Sequence, residues 1–118
     1  MKDINKAIYA AIRSLQGIHN TIFKADCNGR TWHPGKMQAD AGADIYSRET
    51  AQSMAERITQ RSAILLNCDL RRISSKATIA DARREKEIAQ NICDAKTEKQ
   101  LNAALEEMRA LFLEIRSR

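Results

Sequence analysis

The sequence predicts an all-α fold, a small bundle of three or four helices with one long loop in its N-terminal part. Three observations carry this. Every glycine and the single proline of the 118 residues lie at or before Gly42, so nothing from Ala43 onward strongly breaks a helix. Aliphatic residues recur at spacings of three and four in two separate stretches, which is the period of a buried helical stripe. Sheet-forming clusters are sparse: the five aromatics are Tyr9, Phe23, Trp32, Tyr46 and Phe112, against 18 alanines, so the core should be thin and aliphatic. The length is that of one domain, residues 1–118, enough to bury about two-thirds of the unfolded surface around a single core.

A first helix is expected over 3–23. Ile4, Ile8, Ala11, Leu15, Ile18 and Ile22 share one stripe, and Asp3 is a suitable N-cap. Gly17 costs about 1 kcal/mol relative to alanine inside a helix, which suggests a backbone passing close by. His19 lies beside the stripe and reads as a packed or exposed histidine rather than a functional one. Residues 24–46 are the irregular loop. In it, Asn28-Gly29 can close a very short hairpin, and Pro34-Gly35 marks a second turn.

A second helix starts near Asp44 or Ser47 and reaches about Ile73, with Ala51, Met54, Ala55, Ile58, Ser62 and Leu65 inward. The run Ile64-Leu65-Leu66 is apolar over a wider arc, as in a helix buried on two sides. Ser74-Ser75 is the expected break, although one helix over 47–95 meets no glycine or proline either. Thr78 with Asp81 forms a short capping box that opens a third helix to about Ala95. The first half of that helix, 81–87, has almost no apolar face and must meet solvent or a polar partner. Thr97-x-x-Gln100 is a cleaner capping box. Leu101, Leu105, Met108, Phe112 and Ile115 then give a fourth helix its stripe. Short links predict antiparallel neighbours at shallow angles, and the 3.5-residue repeat also permits a homodimeric coiled coil.

Composition narrows the function. No apolar run approaches the roughly 20 residues of a membrane span, and no signal peptide is expected at the start. Cys27, Cys68 and Cys93 are an odd, widely spaced set, which fits a reducing, cytoplasmic setting in a small bacterial or mobile-element protein. The net charge of +5 is unevenly spread: residues 57–86 hold eight Lys/Arg against three Asp/Glu, and the flanking regions are near balance.

That charge is the candidate site. Arg57, Arg61, Arg71, Arg72, Lys76, Arg83, Arg84 and Lys86 straddle the corner between the second and third helices, where arginine forks suit carboxylate or phosphate. Trp32, beside Arg30 and His33, is either a second anchor for a partner or a lid over the core. The expected function is non-enzymatic binding of a larger, acidic-surfaced protein through the arginine-rich corner. The alternative is nucleic-acid binding by the same corner used as a helix-turn-helix, against which Glu85 and Glu87 would face the phosphates. No catalytic residues, metal or cofactor are expected. Cys27 and His33 alone fall short of the three or four ligands that zinc needs, and no third group orients them as a nucleophile and base. No phosphate-binding glycine loop is present.

Overall fold

Four amphipathic segments fold as four helices in the computed structural model, which describes residues 4–23, 26–27, 30–31, 46–66 and 77–118. They are α1 (Ile4–Phe23), α2 (Arg48–Leu66), α3 (Ile79–Asp94) and α4 (Glu98–Arg116). Two short strands, β1 (Asp26–Cys27) and β2 (Arg30–Thr31), pair antiparallel on either side of Asn28-Gly29, with Asp26 opposite Thr31 and Cys27 opposite Arg30. The rest of the expected loop, the Ser74-Ser75 break and the predicted extension of the second helix to Ile73 lie outside the described residues.

Local chemistry sets each helix start. The Ser47 hydroxyl accepts from the Thr50 backbone N–H at 3.1 Å, which begins α2. Thr78 and Asp81 make the full capping box at α3, each side chain accepting from the other's backbone N–H. At α4 only half of the expected box forms. Thr97 accepts from the Gln100 N–H, but the Gln100 side chain reaches past it to the Lys96 N–H at 2.8 Å. The tight Ala95–Lys96–Thr97 corner points that donor at the amide, so the orphan satisfied is the one before the cap.

The helices run side by side. Tyr46, just before α2, meets Tyr9 edge-on at 5.4 Å, while His19 and Ser62 meet further along, so α1 and α2 are parallel. Helix α3 runs antiparallel to α2. The Arg48 guanidinium at the start of α2 donates to the Cys93 and Ala95 carbonyls at the end of α3, both at 2.7 Å. These are carbonyls that a helix leaves unsatisfied, at the negative end of its dipole. Helix α4 turns back antiparallel to α3, and α1 packs against all three others. Ile8, Ile12 and Leu15 of α1, Met54 and Ile58 of α2 and Ile92 of α3 are fully buried at the centre.

The stripes are rotated slightly from those the sequence suggested. In α1 the buried line runs Ile8, Ala11, Ile12, Leu15 and His19, with Ile4 and Ile18 at its edge. In α4 it runs Leu101, Ala104, Met108, Leu111 and Ile115, with Leu105 only partly covered. Ile64 is 66% exposed, so α2 is not buried on two sides there. A side chain added at Gly17 would meet nothing within 4 Å, so no backbone passes close to that glycine.

Candidate functional site

The run from Asp81 to Glu87 divides across α3. Asp81 and Glu85, one turn apart, point inward and are 4% and 5% exposed. Each finds a partner inside the chain. Asp81 takes both guanidinium nitrogens of Arg118, Nη2 to Oδ1 at 3.0 Å and Nη1 to Oδ2, on top of its capping duty. The Arg118 hydrogen bond holds the Asp81 carboxyl below its ordinary range, against the opposing pull of burial.

Glu85 belongs to a polar trio that joins three helices. Ser62 Oγ of α2 stands 2.5 Å from Glu85 Oε1 and 2.9 Å from His19 Nδ1 of α1. A hydroxyl has one proton. The Glu85 contact is shorter than the alternative, the Ile58 carbonyl at 3.2 Å, so Ser62 donates to Glu85 and accepts from His19 Nδ1–H. His19 Nδ1 also approaches Glu85 Oε2 at 3.6 Å. In a hydrolytic triad the histidine sits between acid and serine and takes the serine proton. Here the serine sits in the middle, the histidine nitrogen facing it carries a proton, and Ser62 and His19 are both fully buried. The trio therefore ties helices together rather than presenting a nucleophile. Glu85, expected to face a ligand, faces the core instead.

The predicted basic corner resolves into separate faces. Positions two apart on a helix are about 200° apart around it. Arg57 and Arg61 thus lie on the flank of α2 turned away from Thr59 and Ala63; both are half-buried and each has interactions of its own. Arg84 leans toward α4 and pairs with Glu114 at 2.6 Å, and Glu114 in turn lies 3.5 Å from Arg118. Arg84 and Glu114 are 41% and 52% exposed, so solvent screens their pair and it contributes little to stability. Arg83 and Lys86 project from the opposite side of α3. Neither makes an ion pair among the described residues, and the exposed Glu87, one turn from Arg83, makes no bridge to it. The five described cations accordingly do not share one face. Arg71, Arg72, Lys76 and Trp32 lie outside the described residues, and of Arg30 only the β2 backbone is described.

Arg83 and Lys86 edge a groove on the outer side of the α2–α3 hairpin. Its first segment holds about 270 Å³ between Thr59, Gln60, Ala63 and Leu66 of α2 and Ile79 and Ala82 of α3. Ile79 is 57% exposed. The second segment, about 290 Å³, continues from Thr59 and Lys86, which line both, toward Gln52, Glu56 and Gln90. Small side chains make the trough, Ala63 and Ala82 in the apolar half and Ala55 and Ala89 in the polar half. Cys93 lies at the far end, buried, and burial pushes its thiol up to about 11, so it stays protonated and unreactive.

No three His, Cys, Asp or Glu side chains gather to hold a metal ion among the described residues, and the Cys27–His33 pair lies outside the described side chains. No described helix is long and apolar enough to cross a membrane. Comparison with protein-family models, with curated proteins and with solved structures gives no match. Any functional reading therefore rests on the geometry of the groove and its rim.

Proposed function

We propose that this chain is a non-enzymatic interaction protein that binds an acidic surface of a larger protein along the α2–α3 groove, with Arg83 and Lys86 as the charged contacts. One observation carries the reading. Arg48, Arg84 and Arg118 are committed to partners within the fold, whereas Arg83 and Lys86 stand beside an exposed apolar groove with no ion pair among the described residues. An apolar floor with a charged rim is the usual anatomy of a protein-binding patch.

The packing of α2 on α3 favours a protein over DNA. The DNA-binding motif crosses its two helices at about 90–120° and frees the second for a groove. Here the two lie antiparallel along their length, from the Arg48 clamp on Ala95 to the Leu66–Ile79 end of the groove. The test is a photo-crosslinking residue at Gln60, used in extract of the native cells. A protein adduct that survives nuclease and disappears with Lys86→Glu is the expected result. No adduct, or one indifferent to Lys86→Glu, removes the reading.

A further inference from the structure

We infer that the partner element is a single amphipathic α-helix with carboxylates along one flank, laid lengthwise in the α2–α3 groove. This rests on the proposed function and specifies what the groove takes.

Shape comes first. From Gln52 to Leu66 the groove follows α2 for about 21 Å, which is about four turns of a docked helix. A trough between two antiparallel helices accepts the side-chain ridge of a third at a shallow angle. Alanines on both walls, with Thr59 at the middle, leave room for aliphatic side chains spaced at three and four.

Charge then fixes the flank. The apolar half is edged by Arg83 and Lys86 with no carboxylate lining it among the described residues, while the polar half carries Glu56 and the amides of Gln52 and Gln90. A bound helix meets Arg83 toward the Leu66–Ile79 end, Lys86 at the middle beside Thr59, and amides with one anion beyond it. Carboxylates are therefore favoured over the first half and neutral polar groups over the second. A lysine-flanked helix would place like charges against Arg83 and Lys86 and be rejected. The contact is at the small end of specific interfaces, so the helix alone should bind in the micromolar range.

Fluorescence anisotropy with designed peptides tests this on the full chain. The probe is a labelled, helix-stabilised peptide of about eighteen residues, five turns, with leucines at every third or fourth position and glutamates beside them. Its sibling carries lysines in place of the glutamates. The glutamate peptide should bind saturably and the lysine peptide at least about tenfold more weakly. Arg83→Glu/Lys86→Glu should invert that order. Thr59→Trp, which fills the middle of the trough, should abolish both. Circular dichroism and thermal midpoints confirm that the variants are folded.

Equal binding of the two peptides, binding unaffected by Thr59→Trp, or no saturable binding of either overturns the helix assignment. So does a dimer of the chain that Thr59→Trp dissociates in sedimentation, because the occupant is then a second copy. If the peptides fail but the Gln60 adduct persists and still depends on Lys86, the partner docks a non-helical surface and only this inference falls. If the adduct is missing, the underlying function falls instead.

Discussion

The two sides of α3 are built from one short run of charges, Asp81 to Glu87, and they have opposite roles. On the inner side, Asp81 and Glu85 are buried and answered by Arg118, Ser62 and His19. On the outer side, Arg83 and Lys86 stand at a groove and are answered by no acidic group among the described residues. Charge density alone does not separate the two. Separation comes from whether a complementary group on another helix reaches the same level of the bundle. A buried charge without such a group is intolerable, and an exposed one costs nothing.

The contrast predicts a graded series of effects. Glu85→Ala should be the most damaging, lowering stability in urea unfolding by about 3 kcal/mol, because it empties a buried position and removes the carboxylate that Ser62 donates to, leaving Ser62 only the longer bond to the Ile58 carbonyl. Replacing the trio together, with His19→Leu, Ser62→Ala and Glu85→Met, should cost less than Glu85→Ala alone. If the triple variant is worse, the trio contributes net stability and is more than a satisfied burden.

Arg48→Ala should cost about 2 kcal/mol in the same assay, the loss of two charge-assisted bonds to the end of α3. A change below about 0.5 kcal/mol would show that water caps those carbonyls equally well.

Acid titration probes the Asp81–Arg118 pair. The Asp81 carboxyl is depressed in the folded state, chiefly by Arg118, and Glu114 is lowered likewise, chiefly by Arg84. The stability these groups add is complete above about pH 4, the ordinary carboxylate value, and is lost as pH falls through the depressed folded-state values. The thermal midpoint of Arg118→Ala should therefore decline less between pH 5 and pH 2 than that of the parent, about these values. Parallel curves would show that Arg118 leaves the Asp81 titration unchanged.

Smaller effects are expected at exposed positions. Gly17→Ala should raise stability by about 0.5–1 kcal/mol, since its side chain meets open space in the middle of α1. Arg83→Glu/Lys86→Glu should shift stability by less than about 0.5 kcal/mol, which would leave its binding phenotype free of folding effects. A large loss there would mean that the outer side of α3 also serves the fold.

Much of the fold was legible in the sequence. The start of α3 at Thr78–Asp81 and the capping side chain of Thr97 follow from residues three apart, and period alone shows that α1 and α4 carry a stripe, though in α4 Ala104 and Leu111 are buried where Leu105 and Phe112 were expected. Less of the site was. His19 looked incidental because nothing near it in sequence resembles a partner, and Ser62 looked like an ordinary inner-face residue. The basic residues at 57–86 formed one patch in sequence, yet a 200° step around α2 and the pull of Glu114 on Arg84 put the five described ones, Arg57, Arg61, Arg83, Arg84 and Lys86, on different faces. The α2–α3 groove was not foreseen at all. Its only sequence signal is the spacing of small residues, Ala55, Thr59 and Ala63 on one helix and Ala82 and Ala89 on the other, which also fits a closely packed interior.

The sequence by itself determined that the described chain would be helical and where two of its helices begin, because caps, breakers and stripe period act over three or four residues. Only the tertiary structure decided which charges are structural and which are offered outward. Ser62 and Glu85 are 23 residues apart, and Asp81 and Arg118 are 37 apart. A carboxylate goes inward only when the fold brings its partner to it, and such pairings are set by helix direction and rotation, which local sequence does not encode.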